Sequence, residues 1–272
     1  MSQEFQASDY NIVIEIARQA GQLAAQHFNN IGQLEVIEKG HLDLVSIADK
    51  EVENFIYGEI DRHFPDDGIF GEEGGAKLSK NGRVWIIDPI DGTFNYLRGS
   101  GDWAISIGLL DGKQSIFGVA NAPIRGEMIY GGVNCPPQLN NRPLKELASL
   151  DAKKAVIDIA VHPKWAPIYE MTMLEEILIH QKMAYRATGS SVISLMRVAM
   201  GLSDGYIAAG VASWDVAGLL PILTALGAEN TLNWQDRRLD QEVNILVGKK
   251  GIISQLQALK TICYALEQQI TS

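Results

Sequence analysis

Apolar residues recur every three or four positions over residues 12–28, where Ile12, Ile16, Ala20, Leu23, Ala24 and Phe28 are interleaved with Gln19, Gln22 and Gln26. That spacing predicts a helix with one face on a core. A second stripe, Val52, Phe55, Ile56 and Ile60, predicts a helix over 47–64, ended by Pro65-Asp66-Asp67-Gly68. Between them, residues 32–37 read as a short connection or strand, and Lys39-Gly40-His41-Leu42-Asp43 as a polar turn. Short apolar runs at 69–73, 84–87, 104–110, 116–122 and 127–131 read as strands, and the last three are separated by Asp111-Gly112 and Arg125-Gly126, dipeptides that mark tight hairpins. The first half therefore predicts a largely antiparallel sheet. From residue 155 strands (155–161, 183–187, 205–209, 244–247) alternate with helices (167–180, 190–200, 215–226, 252–270), the pattern of an α/β half. The polar stretch 134–143, with two asparagines in a row and three prolines, reads as a mobile surface loop or a boundary. One domain, with an antiparallel half of about 1–143 and an α/β half of about 144–272, is expected.

The chemistry concentrates in Trp85 to Tyr96, WIIDPIDGTFNY. The apolar run is expected to stop at Asp88, where Pro89 ends the sheet ladder, and Gly92-Thr93 begins a turn that can open a helix. Asp88 and Asp91 then project from the carboxyl end of a strand. Carboxylates this close repel each other unless a cation lies between them, and a hard ion such as Mg²⁺ suits them. Helix-start amides beside them favour an anion, most simply a phosphate group. Glu72 falls 16 residues before Asp88, room for a loop and a return strand that would bring both acids to one sheet end.

Composition narrows the choice. With 272 residues, 46% hydrophobic, the chain can bury one large core or two fused halves. A net charge of -10 repels a phosphate backbone over most of the surface, so no nucleic-acid partner is expected and an anionic substrate must be captured by metal ions and amides. The cysteines, Cys135 and Cys263, lack metal-type spacing, which excludes a zinc site or a disulfide framework and points to a reducing compartment. The N-terminus has no signal-peptide pattern and no run approaches 18 apolar residues, so a cytoplasmic protein with no membrane association is expected. Neither Cys135 nor Ser213 lies in a recognisable activating environment, and the five histidines form no pair at ligand or triad spacing.

DPIDGT at 88–93, with GEE upstream at 71–73 and WDVAG downstream at 214–218, resembles the inositol monophosphatase family of Mg²⁺-dependent, lithium-sensitive sugar phosphatases. The motifs stand in the family's order and the resemblance covers roughly residues 12–247. It implies a layered α-β-α-β-α sandwich, a homodimer, and a site with two or three Mg²⁺ ions for which Mn²⁺ could substitute. By the same resemblance Glu72, Asp88, the Ile90 carbonyl, Asp91 and Asp215 are metal ligands, and Glu73 stands near the attacking water. Asp49, which closes DLVSIAD, orients Thr93, and the Gly92 and Thr93 amides hold phosphate. Gly189, Ser190 and Ser191 contact substrate hydroxyls, and Asp215 also faces the leaving group. Read from the residues alone, Asp49 complements a helix dipole, Asp215 is an N-cap, and Thr188 to Ser191 cap the next helix.

One position departs from the inositol pattern. The spacing from Gly189 to Asp215 places the family's inositol-binding glutamate on Ala208, which accepts no hydrogen bond. A buried polar group left without its partner costs about 1–3 kcal/mol, enough to change substrate preference while leaving the reaction type intact. The family's loop lysine is also out of register, Glu38 standing at its position with Lys39 beside it. Inositol phosphate, histidinol phosphate, fructose bisphosphate and a 3′-phosphonucleotide all stay open as substrates. The gap before DPIDGT argues against the nucleotidases, which tend to carry longer insertions there. A non-catalytic scaffold docking a basic partner is the alternative from another class.

Overall fold

In chain order, the computed structural model describes residues 5–31, 36–40, 43–161 and 167–259. Helix α1 (Ala7–Phe28) is followed by a hairpin of β1 (Val36–Gly40) and β2 (Asp43–Ser46), which leads into α2 (Ile47–His63). An eight-stranded sheet is then built from β3 (Gly68–Gly71), β4 (Ala76–Lys77), β5 (Arg83–Asp91), β6 (Ala104–Asp111), β7 (Gln114–Ala122), β8 (Glu127–Gly132), β9 (Cys135–Leu139) and β10 (Arg142–Pro143), with α3 (Thr93–Leu97) between β5 and β6. Its order is β10-β9-β8-β7-β6-β5-β3-β4, antiparallel throughout except for the parallel pair β3 and β5. The rest of the chain gives β11 (Val156–Val161), α4 (Pro167–Glu175), β12 (Ala184–Arg186), α5 (Ser191–Ala199), β13 (Gly205–Val211), α6 (Trp214–Ala217), α7 (Leu220–Ala225), β14 (Glu229–Asn230), β15 (Val243–Gly248) and α8 (Ile252–Gln255). These five strands form a mixed sheet ordered β12-β11-β13-β15-β14.

Alternation along the strands divides the core between layers. Ile87, Ile105, Ile107 and Val119 pack with Val13, Ala17, Val52 and Ile56 of α1 and α2, while Ile86, Ala104 and Ala120 face the opposite way onto Val192, Leu195, Val216 and Leu223 of α5 to α7. Tyr206, Ala208 and Ile245 close that middle layer from the second sheet. The outer face of the second sheet, Ile157, Ile207 and Leu246, is covered by Met173 and Ile177 of the α4 region and by Ile252 and Leu256. The result is the five-layer α-β-α-β-α sandwich.

Several boundaries differ from the sequence expectation. Strand β5 continues through Pro89 to Asp91: Asp88 pairs with Ser106 and Asp91 with Ala104, so Pro89 and Ile90 together face Ile105 in a bulge. A proline is tolerated there because the extra residue owes the ladder no hydrogen bond. The stretch 134–143 is two sheet strands rather than a mobile loop, with Asn134, Asn140 and Asn141 taking the positive φ of the connecting turns. Helix 215–226 is two short helices broken after Ala217, where Gly218 and Pro221 fall. On the predicted stripe of α1, Ile16, Ala20 and Ala24 are buried, while Ile12, Leu23 and Phe28 are only partly so. Helix α8 ends at Gln255, and the predicted continuation beyond 259 lies outside the described residues, as do His41 and Leu42 of the polar turn.

Candidate active site

Because β3 and β5 are parallel neighbours with Gly71 opposite Ile87, the residues next along each chain emerge side by side: Glu72, just past β3, next to Asp88, still within β5. The Asp88 carboxyl group stands near those of Glu72 and Asp215, close enough for each of them to affect its pKa. The bulge at Pro89 and Ile90 lets the chain present Asp88 and Asp91 to the same space, which unbroken alternation with an odd offset would not do. Asp215 arrives from the other half. Its helix α6 presses the backbone of Ala217 and Gly218 onto β6 and β7, where a Cβ on Gly108 would stand 2.6 Å from the Ala217 carbonyl carbon and one on Gly118 only 1.8 Å from the Gly218 oxygen. Bare glycines in the sheet let α6 come this close.

Asp88, Asp91 and Asp215 offer carboxylate oxygens that all lie within 4.8 Å of one another, the first two buried. Their surroundings differ. Asp91 accepts from the Ser191 and Val192 amides at 3.2 and 2.9 Å and from the Ser190 hydroxyl, all at the start of α5. Asp215 accepts from the Ala212 amide at 2.7 Å. Asp88 Oδ1 is buried with no hydrogen-bond partner among the described residues. Burial raises the pKa of all three; repulsion by Glu72, Asp91 and Asp215 adds to Asp88, and repulsion by Asp91 takes Asp215 to about 8, whereas the α5 donors hold Asp91 to about 6. A group of desolvated acids with an orphaned oxygen fits a divalent cation with oxygen preference, which would offset the repulsion and fill the missing contact.

The second part of the site surrounds Thr93. Gly92, at φ +91°, turns the chain out of β5; a Cβ there would stand 2.9 Å from the Asp102 oxygen. The Thr93 hydroxyl then donates to the Ile90 carbonyl at 3.0 Å or to Asp49 Oδ1 at 3.2 Å. The Ile90 carbonyl keeps a lone pair for a further partner. Asp49 is buried at the first turn of α2, and its Oδ2 accepts from the Ser46 amide and hydroxyl at 2.8 and 2.6 Å. Burial raises its pKa, with the Glu73 carboxyl group a lesser contribution. Gly189 turns the chain at φ +74° beside Asn95, whose side-chain amide donates to Thr188 and Asp102 carbonyls at 2.8 Å each. Asp49, Ile90, Asp91, Thr93, Ser190 and Ser191 are thus joined by hydrogen bonds beside the acids Glu72, Asp88 and Asp215 in one candidate site. Ala208 is fully buried in the middle layer and offers it no surface.

The model of the inositol monophosphatase family matches residues 6–270. The chain belongs to that family. An inositol monophosphatase relative named Nus factor SuhB, from Xylella fastidiosa, is 34% identical over 80% of this chain and 79% of its own. One from Aquifex aeolicus, named fructose-1,6-bisphosphatase/inositol-1-monophosphatase, is 30% identical over 82% of this chain and 85% of its own. The crystal structure of extragenic suppressor protein suhB from Bartonella henselae superposes with a TM-score of 0.84 at 25% identity, covering 93% of this chain and 99% of that one. Among the described residues no helix is long and apolar enough to cross a membrane.

Several residues of this inositol monophosphatase site were not predicted. Ser46 forms a capping box with Asp49, and the signal was present as Ser46-Ile47-Ala48-Asp49. Asn95 lies just past the DPIDGT motif and gives no sequence signal of its bridging role. Tyr206, fully buried, donates its hydroxyl to Ser191 Oγ at 2.7 Å beneath the start of α5. Glu53 holds the turn that carries Glu72 and Glu73.

Proposed function

We propose that this protein is a Mg²⁺-dependent phosphate monoester hydrolase acting on a small polyol or sugar phosphate, with inositol 1-phosphate the first candidate. The observation that carries this reading is the Asp88, Asp91 and Asp215 cluster, with the orphaned Asp88 Oδ1. Glu72, Asp88, the Ile90 carbonyl and Asp91 are assigned to one side of the reacting phosphorus, and Asp88, Asp91 and Asp215 to the other. Cations bound there would lower the pKa of a nearby water and neutralise charge on the phosphate and its leaving oxygen. Thr93, oriented by Asp49, accepts a hydrogen bond from the attacking water, and Glu73 is assigned a place near that water. The Gly92 and Thr93 amides hold the phosphate, and Gly189, Ser190 and Ser191 meet the alcohol half of the substrate. Attack is direct and in line, with no covalent intermediate.

Ala208 keeps the substrate choice open, because the inositol-binding carboxylate is replaced by a methyl group inside an apolar layer. Histidinol phosphate, fructose 1,6-bisphosphate and 3′-phosphonucleotides remain alternatives, the second supported by the name of the Aquifex aeolicus relative. A homodimer is proposed from the family. The name Nus factor on relatives favours a second reading, a non-catalytic interaction role, so the acidic surface does not by itself exclude a nucleic-acid or protein assembly. The full set of ligand carboxylates favours catalysis.

The test is phosphate release from inositol 1-phosphate, histidinol phosphate, fructose 1,6-bisphosphate and 3′-phosphoadenosine 5′-phosphate, with Mg²⁺ and with EDTA. Turnover of one compound in Mg²⁺ and none in EDTA is expected; no turnover of any compound by Mg²⁺-loaded protein would overturn the reading.

A further inference from the structure

Glu53 follows Asp49 by one turn of α2, so both carboxylates stand on one face of the helix. Its side chain carries a carboxyl group, yet only 4% of the residue is exposed. Oε2 accepts the Glu73 amide at 2.7 Å and Oε1 the Gly75 amide at 2.8 Å, while the turn is closed on itself by the Gly71 amide donating to the Gly75 carbonyl at 2.7 Å. The turn approaches so closely that a Cβ on Gly71 would lie 2.6 Å from the Glu53 carboxyl carbon, and one on Gly75 2.8 Å from Oε1. Four residues earlier on the same face, Asp49 receives the Thr93 hydroxyl. A single rigid helix thus grips both parts of the site: the turn that bears Glu72 and Glu73, and the threonine at the end of the DPIDGT motif.

We infer that Glu53 is a positioning residue, which fixes Glu72 and Glu73 relative to Thr93 by holding the 71–75 turn against α2. Where the phosphatase reading makes Glu72 a metal ligand, Glu53 acts on the metal site through the backbone and touches neither metal nor substrate. A carboxylate is required because both of its oxygens meet N–H donors; glutamine would turn an NH₂ group toward one of them. Groups that orient metal ligands in this way typically change metal affinity or activity by about 10–100-fold when altered.

The experiment compares the full-length wild type with Glu53→Gln, with Gly75→Ala, whose methyl group would push the turn from the other side, and with the double variant. Readouts are Mg²⁺ binding by titration calorimetry, amide hydrogen exchange over 71–75, and phosphate release. Glu53→Gln is expected to raise the Mg²⁺ Kd about tenfold and to lower kcat more than it changes KM, with faster exchange at Glu73 and Gly75. Gly75→Ala should reproduce these effects with α2 intact, and the double variant should be little worse than either single, as expected for coupled neighbours. Wild-type Mg²⁺ affinity and exchange in both single variants would overturn the inference. Calorimetry and exchange need no substrate, so they decide the matter even if no phosphate ester is turned over, a result that would instead count against the phosphatase reading.

Discussion

Asp91 and Asp215 are both acids of one cluster, yet they are held in opposite ways. Asp91 is held by three donors from the start of α5, which ties the end of the first sheet to the helix of the middle layer and leaves Oδ1 a lone pair. Asp215 accepts from the Ala212 amide, and burial and the nearby Asp91 push its pKa to about 8, against about 6 for Asp91. The protein itself stabilises one carboxylate and leaves the other dependent on something it does not supply. A bound cation would be that missing partner, so the cluster contains one joint between the two sheets and two positions, Asp88 and Asp215, whose ionised forms would be compensated by an ion.

The sharpest way to break the comparison is to neutralise each acid in turn. Asp91→Asn and Asp215→Asn should both lower phosphate release by about a thousandfold, on the order of 4 kcal/mol of transition-state stabilisation. Their stabilities should separate. In EDTA at about pH 9, where both carboxyl groups are ionised, Asp91→Asn should lower Tm, because an amide cannot accept all the α5 donors, whereas Asp215→Asn should leave Tm unchanged or raise it by removing a buried charge under repulsion. Equal falls in Tm would show that the two acids are held alike.

A smaller effect tests how Asp215 is delivered. Gly118→Ala would place a methyl group 1.8 Å from the Gly218 oxygen, so α6 must lift from the sheet. A loss of about 3 kcal/mol in denaturant unfolding is expected, with weakened Mg²⁺ binding by the surviving folded protein. Wild-type stability and Mg²⁺ affinity would mean that the close glycine contact does not position Asp215.

The same contrast separates what could be read from the sequence and what could not. Asp88, Ile90, Asp91, Gly92 and Thr93 are contiguous, so a strand end followed by a turn was enough to place them together, and the spacing to Glu72 matched two neighbouring strands with their ends aligned. The α/β alternation and the hairpin dipeptides gave the sheets. Pro89 was misjudged because a bulge depends on the partner strand, which local sequence does not reveal. Residues 134–143 looked like loop because asparagine and proline signal turns, and here the turns are so short that the strands take up the rest. Glu53 stands two residues from Glu51 on a helix rich in polar positions, where a solvated acid is the ordinary expectation; its cue lay in Gly71, Gly74 and Gly75, far along the chain. The helix at 215–226 could have been divided from Gly218 and Pro221, but the reason for the break is backbone contact with β6 and β7.

The central claim is that a divalent cation completes the cluster, and the most direct measurement is an anomalous difference map from crystals soaked in Mn²⁺, which would stand in for Mg²⁺. The account predicts a peak contacting carboxylate oxygens of Asp88, Asp91 and Asp215, lost in Asp215→Asn crystals or reduced there. A map with Mn²⁺ bound only elsewhere, and none at these acids, would contradict it.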